Sequence, residues 1–124
     1  MSPLNDTVLV VDDEFLIAQG LCIQVKDMGL DVCGTAASAD EAIAMCEAHR
    51  PGIVLMDMRL HGVKDGVDAA LVIHANVGSK VIFITGSKEA GTLDRIKSDH
   101  PAGILFKPVS GAQLQGAIET ALAN

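Results

Sequence analysis

Five short apolar runs, separated by stretches of helical patterning, constrain the fold of this chain more than any other feature of its sequence. Four of the runs are nearly continuous in valine, isoleucine and leucine and do not alternate with polar residues. This composition is typical of parallel strands, because helices cover both faces of a parallel sheet. The second run is weaker and more polar, which indicates a strand at the edge of the sheet. The runs cover residues 7–11, 31–36, 53–56, 81–85 and 103–106.

The stretches between the runs carry signals for the starts and ends of helices. Ser38 with Glu41, and Ser110 with Gln113, are capping-box patterns that open the second and fifth helices. The other three helices are predicted at about 14–28, 66–76 and 88–98, the first ending at Gly29. Strand and helix alternate five times, which predicts an α/β fold with a five-stranded parallel sheet and helices on both faces. The side chains predicted to be buried by the fifth helix are Leu114, Ala117, Ile118, Ala121 and Leu122.

Length and charge limit what the chain can do. Its 124 residues predict one domain over residues 1–124, with no output domain after the fifth helix. Sixteen acidic residues against nine basic ones give a net charge of −7, which argues against nucleic acid and against an anionic membrane surface. Three cysteines form no CxxC pair, which predicts free thiols and a cytoplasmic location.

Polar side chains follow four of the five apolar runs at the point where each predicted strand ends. Asp12 and Asp13 follow the first run, Asp57 follows the third, Thr85 ends the fourth and Lys107 follows the fifth. Ligands of open α/β sheets bind at the carboxyl ends of the strands, so these five side chains are expected to meet at one edge.

The chemistry of these five groups is specific. Three clustered carboxylates repel one another, and a hard divalent cation with oxygen ligands, such as Mg²⁺, relieves the repulsion. A carboxylate is also a nucleophile toward phosphorus and forms an aspartyl phosphate. A metal ion, a hydroxyl and an ammonium group can then bind the three equatorial oxygens of a phosphoryl group.

With these residues the chain resembles the receiver domains of two-component response regulators, along essentially its whole length. The resemblance implies a flavodoxin-like fold with strand order 2-1-3-4-5. It also implies a stand-alone signalling switch that catalyses only its own phosphorylation and dephosphorylation. The matching segments are VLVVDDE (8–14), IVLMDMRL (53–60) followed by Asp65-Gly66, FITG (83–86) and FKP (106–108).

The resemblance assigns a role to each residue by position. Asp57 would accept the phosphoryl group, and Mg²⁺ would be bound by Asp12, Asp13, the Asp57 carboxylate and the backbone carbonyl of Arg59. Thr85 and Lys107 would then contact the phosphoryl group. The donor would be a histidine kinase or a histidine phosphotransfer protein. The signal would leave through a protein partner or a homodimer, on the face of the fourth helix, fifth strand and fifth helix.

Two features depart from the pattern of the family. Ile104 stands where the family often has a tyrosine or phenylalanine that switches rotamer. The segment 59–66 is about one residue longer than the usual loop and lacks its proline. Lys107-Pro108 is expected to be a cis peptide, on the strength of the resemblance alone. Lys64 and Asp65 are expected in a solvated loop.

Three other functions fit the sequence less well. A haloacid dehalogenase-type phosphohydrolase would have a second acid two residues after the nucleophile, where this chain has Arg59. A flavin mononucleotide module needs a Ser/Thr/Gly-rich phosphate loop after the first strand, where this chain has two aspartates and Glu14. A receiver that binds partners without phosphorylation is disfavoured by the intact set of Asp57, Thr85 and Lys107.

Overall fold

The computed structural model describes residues 4–58, 60, 64–86, 90–97 and 101–123, with only the backbone of residues 90–92. Five parallel strands form one sheet in the order β2-β1-β3-β4-β5. The predicted flavodoxin-like α/β fold and its strand order are therefore confirmed. The elements are β1 (Asn5–Val11), α1 (Phe15–Asp27), β2 (Asp31–Ala36), α2 (Ala39–His49), β3 (Pro51–Asp57), α3 (Gly66–Asn76), β4 (Lys80–Thr85), α4 (Ala90–Lys97), β5 (Gly103–Phe106) and α5 (Gly111–Ala123).

Successive side chains of each central strand pack against helices on opposite faces of the sheet. In β1, Leu9 packs into the core on the side of α2 and α3, and Val10 packs into the core on the side of α1 and α5. Phe83 in β4 is completely buried on the first side. Apolar side chains on both faces explain why the runs in the sequence are continuous.

Three strands, β1, β3 and β4, begin before their apolar runs because backbone pairing extends beyond the buried side chains. Asn5 pairs with Pro51 across β1 and β3, and the Asn5 N–H donates to the Arg50 carbonyl at 2.7 Å. Exposed residues such as Asn5 thus join the sheet through main-chain hydrogen bonds, which a hydrophobic pattern does not show.

The predicted helix caps are present, with one shift in register. Ser110 and Gln113 form the reciprocal pair before α5, with hydrogen bonds of 3.1 and 3.0 Å. Ser38 accepts from the Glu41 N–H at 3.2 Å, but the Glu41 carboxylate accepts from Ala37, one residue before the cap. Gly29 follows α1 with a φ of 86°, a left-handed conformation that suits glycine at a helix end.

The prediction for the buried face of α5 was wrong at its last position. Leu114, Ile118 and Ala121 are buried, Ala117 is half-buried, and Leu122 is 50% exposed. Leu122 lies at the edge of the helix face, where it lines a shallow cleft with Met28 and Leu30 instead of entering the core.

The cysteines are free, as predicted: Cys22 and Cys46 are buried and Cys33 is half-buried. Burial raises the pKa of the Cys46 thiol to about 12, so this group stays protonated and packs as an apolar side chain. Among the described helices, none is long and apolar enough to cross a membrane.

Candidate functional site

The strand registers bring the ends of β1, β3, β4 and β5 to one edge of the sheet. Val11 pairs with Met56, so the residues that follow, Asp12 and Asp57, are neighbours. Thr85 pairs with Phe106, and Lys107 comes next. The structure therefore brings together all five of the predicted side chains that it describes at the carboxyl edge.

Three carboxylates form the floor of this edge. Oxygen atoms of Asp12, Asp13 and Asp57 all lie within 4.8 Å of one another. Asp12 and Asp57 are buried, with exposures of 4% and 6%, and Asp13 is half-buried. The cluster opens into a cleft of about 320 Å³ that is also lined by Thr85 and Lys107. The acidic groups are thus accessible to a small ion and a phosphoryl group.

Lys107 supplies the positive charge beside these acids. Its Nζ lies 3.4 Å from Asp57 Oδ1 and 3.9 Å from Asp12 Oδ2. Its backbone N–H donates to the Thr85 carbonyl at 2.9 Å, which fixes the start of the loop after β5. The Lys107-Pro108 peptide is cis, as the resemblance implied. One ammonium group therefore faces two buried carboxylates.

Burial dominates the ionisation of Asp12. Loss of solvent raises the pKa of this carboxyl above its ordinary value of 3.8, although the hydrogen bond from the Glu14 N–H and the charge of Lys107 oppose the rise. Asp13 adds repulsion. The cluster is therefore held in an electrostatically costly state that a bound cation would relieve.

The donor set fits a hard divalent cation. The facing atoms are carboxylate oxygens, which Mg²⁺ and Ca²⁺ prefer, and neither histidine nor cysteine is among them. An open cleft beside the oxygens leaves room for the waters that Mg²⁺ retains. The residues present thus fit the cation that the sequence predicts.

We expect Asp12→Asn to stabilise the metal-free protein by roughly 1 kcal/mol at neutral pH, because it removes a buried charge but keeps the oxygen that accepts from Glu14. The folded-state pKa of Asp12 is raised, so its ionisation lowers stability as pH rises above 3.8. The advantage should therefore grow toward neutral pH. Urea unfolding in a chelating buffer at two pH values measures it, and a loss of stability at neutral pH would contradict this account.

Three further expectations concern residues near this site. Lys64 and Asp65 lie in the loop before α3, as expected, but Asp65 is half-buried, because it caps α3 and pairs with Arg95. The spacing of Asp65 and Asp68 before an apolar run is a capping-box signal that could have shown the cap, although not the ion pair with Arg95. The predicted Arg59 carbonyl ligand lies outside the described residues. Ile104 is half-buried and packs against the core that contains Phe83.

Comparison with known proteins finds one family along most of the chain. The model of the response regulator receiver domain matches residues 8–119. The chain is 30% identical over 117 residues to the transcriptional regulatory protein PdtaR of Mycobacterium tuberculosis, covering 94% of this chain and 57% of that protein. It is 33% identical over 116 residues to the phyllosphere-induced regulator PhyR of Methylorubrum extorquens, covering 93% and 43%. The chain thus spans about half the length of these relatives.

A solved structure is similar along nearly the whole of both chains. The signal receiver domain of a modulated diguanylate cyclase from Desulfovibrio desulfuricans G20 superposes with a TM-score of 0.89 and 38% identity. The match covers 94% of this chain and 93% of that one. Fold and sequence therefore agree on the same family.

Proposed function

Because the chain belongs to the response regulator receiver domains, we propose that it is a phosphoacceptor switch of a two-component or phosphorelay system with Asp57 as the acceptor. The observation that carries the proposal is the meeting of three carboxylates with one ammonium group at the carboxyl edge of the sheet. A single buried aspartate would be weaker support, because buried charges also occur in structural ion pairs.

The transfer is a substitution at phosphorus. A carboxylate oxygen of Asp57 attacks the phosphorus atom of a phosphohistidine, the P–N bond breaks, and the histidine nitrogen leaves with the electron pair of that bond. Asp57 faces the cleft and Lys107 Nζ lies 3.4 Å from it. The ammonium group can therefore move to the phosphoryl oxygens once the carboxylate has become an ester.

Asp12, Asp13 and Asp57 would hold Mg²⁺, with the Arg59 backbone carbonyl as a further ligand by resemblance. The bound ion would neutralise charge that develops on the transferring phosphoryl oxygens. The raised pKa of Asp12 supports this assignment, because a buried acid of this kind gains most from a cation.

Thr85 and Lys107 would transmit the effect of the phosphoryl charge on Asp57 to the rest of the fold. Thr85 ends β4 and is 2% exposed at the wall of the cleft, where its hydroxyl would bind a phosphoryl oxygen. Because the Lys107 N–H is bonded to the Thr85 carbonyl, movement of either residue shifts the loops after β4 and β5 together. The signal would then leave on the face of α4, β5 and α5.

The proposed partners are proteins. The phosphoryl donor would be a histidine kinase or a histidine phosphotransfer protein, in the cytoplasm, and the receiver of the signal would be a protein partner or a second copy of the chain. Phe15 and Leu16 support a protein donor, because they are 72% and 82% exposed at the start of α1, directly after the acidic residues. Exposed apolar side chains at this position favour contact with an apolar protein surface.

Acetyl phosphate tests the proposal without the cognate kinase. The full chain should gain the mass of one phosphoryl group in the presence of Mg²⁺, and a chelator should prevent the gain. Intact-mass spectrometry measures both. The proposal fails if the folded protein gains no adduct at any Mg²⁺ concentration. Steady turnover of a phosphoester would instead favour the hydrolase alternative.

We expect Asp13→Ala to weaken Mg²⁺ binding by at least about tenfold, because it removes one of three oxygen ligands and its charge. Isothermal calorimetry on the unphosphorylated protein measures the affinity. Glu47→Ala is the matched control, since it removes an acidic side chain that is exposed on α2. Equal affinity of Asp13→Ala and wild type would remove Asp13 from the metal site.

A further inference from the structure

An ion pair ties the loop after β3 to α4, and the proposed phosphoryl transfer does not use it. Arg95 Nη1 lies 2.6 Å from Asp65 Oδ2, and Arg95 Nη2 lies 3.4 Å from Asp65 Oδ1. The guanidinium therefore forks across both oxygens of one carboxylate, which fixes direction as well as distance. Arg95 Nη2 also lies 3.7 Å from Asp68 Oδ1. Two acids at the start of α3 thus hold one side chain of α4.

Asp65 is itself held by the backbone of α3. Its Oδ1 accepts from the N–H groups of Val67 and Asp68 at 3.0 and 3.1 Å, and its own N–H donates to the Asp68 carboxylate at 3.0 Å. A capping box of this kind fixes the orientation of the cap residue. The carboxylate that binds Arg95 therefore cannot move without moving the first turn of α3.

The first turn of α3 touches the acceptor strand directly. The Gly66 N–H donates to the Met58 carbonyl at 3.0 Å, and a β-carbon on Gly66 would clash with the carbonyl oxygen of Asp57. Displacement of Gly66 thus displaces the main chain of the acceptor residue. An unbroken set of contacts runs from Asp57 through Gly66 and Asp65 to Arg95.

The neighbour of Arg95 anchors α4 to the core. Ile96 is completely buried against the sheet, in the same cluster as Phe83. Among the described side chains of α4, residues 93–97, Ile96 is the one that is fully buried. The part of α4 that contacts the core is therefore adjacent to the part that contacts α3.

We propose that Asp65 and Arg95 are positioning residues that couple the main chain beside Asp57 to α4, so that a shift on either side is transmitted to the other. The coupling is a free energy between two regions and must act in both directions. It deepens the proposed function, since a phosphoryl group on Asp57 would act through it. The coupling itself belongs to the unphosphorylated chain, and it can be measured there.

Amide hydrogen exchange on the metal-free, unphosphorylated protein tests this proposal. Arg95→Gln should speed exchange of the Gly66 amide by about threefold, because the loop after β3 is then no longer bound to α4 through Asp65. Asp65→Asn keeps the oxygen that caps α3 but loses the charge, and it should speed exchange of the Ile96 amide by a similar factor. Each variant is therefore read on the element that it does not alter. Arg95→Lys should give a smaller effect, because an ammonium group cannot fork across the carboxylate.

Two charge controls separate the ion pair from a general loss of charge. Lys97→Gln removes a positive charge from the same helix, and Lys64→Gln removes the exposed ion pair between Lys64 and Asp40 at 2.9 Å. In the described part of the chain, the ammonium group of neither lysine forms an ion pair with Asp65. Both controls should leave exchange at Gly66 and Ile96 at the wild-type rate.

The double variant completes the test. If the ion pair between Asp65 and Arg95 carries the coupling, adding Arg95→Gln to Asp65→Asn should cause no further change in the exchange rate of either the Gly66 or the Ile96 amide. The proposal is overturned if each variant alters only its own element, or if the controls alter both amides equally. Acetyl phosphate labelling of the same variants separates this result from the proposed function. Absence of an adduct in wild type counts against Asp57 as acceptor, whereas intact cross-effects would still establish the link.

Discussion

The Asp57→Asn variant is expected to take up no phosphoryl group from acetyl phosphate with Mg²⁺, under conditions in which the wild-type chain is labelled. An amide oxygen carries no charge and is a poor nucleophile, so the step at phosphorus loses its attacking group. The variant should still fold, because Asn fills the same space in the buried position and relieves repulsion among the three carboxylates. Intact-mass spectrometry and thermal unfolding together measure both effects.

A matched control shows that the loss is specific to the site. Asp94→Asn removes an acidic group that is exposed on α4 and should be labelled like the wild-type chain. If Asp57→Asn still gains one phosphoryl group, the acceptor is another residue. Proteolytic mapping of the adduct would then decide between Asp12 and Asp13, the other two members of the cluster.

The Gly66→Ala variant is expected to lose about 3 kcal/mol of stability, which corresponds to a fall in melting temperature of roughly 10 °C. The added methyl group would clash with the Asp57 carbonyl oxygen and approach the Met56 side chain. Both are fixed in the centre of the sheet, so α3 must move away from β3. Urea unfolding measures the stability, and Mg²⁺ affinity should fall as well because Asp57 is displaced.

Gly116→Ala is the control for this substitution. Gly116 lies within α5, and a β-carbon there would meet no heavy atom within 4 Å. Alanine in an open helical position should stabilise the protein by about 0.5–1 kcal/mol. Opposite signs for the two variants would identify contact with Asp57 as the cause. Equal effects would show that close packing at Gly66 does not limit stability.

The strands and most helix ends could be predicted because local patterns report them. Continuous apolar runs predict strands with two covered faces, and the cap pair of Ser110 and Gln113 depends only on neighbours in the sequence. The strand order came from the family resemblance, since periodicity does not say which strands pair. Leu122 shows the limit of helical spacing, because a position at the edge of a stripe is buried only if the sheet extends beneath it.

The position of the site could be predicted, because ligands of parallel α/β sheets bind at the carboxyl ends of the strands. The features that could not be predicted depend on tertiary contacts. Asp57 ends β3, and Asp12 and Lys107 directly follow β1 and β5, so the topology alone brings them together. The ion pair between Asp65 and Arg95 joins the cap of α3 to α4, two sites that are far apart in sequence, and no local pattern marks it.

The acidic cluster draws its members from both sides of a long crossover. Asp13 and Asp57 are separated along the chain by α1, β2, α2 and the rest of β3, and they become neighbours through the pairing of Val11 with Met56. A nascent chain emerging from the ribosome therefore cannot assemble the three-carboxylate pocket before β3 has been made and has docked beside β1. Binding of a divalent ion would thus report that β3 has docked beside β1. Truncated chains that end in α2 should not bind the ion at this site.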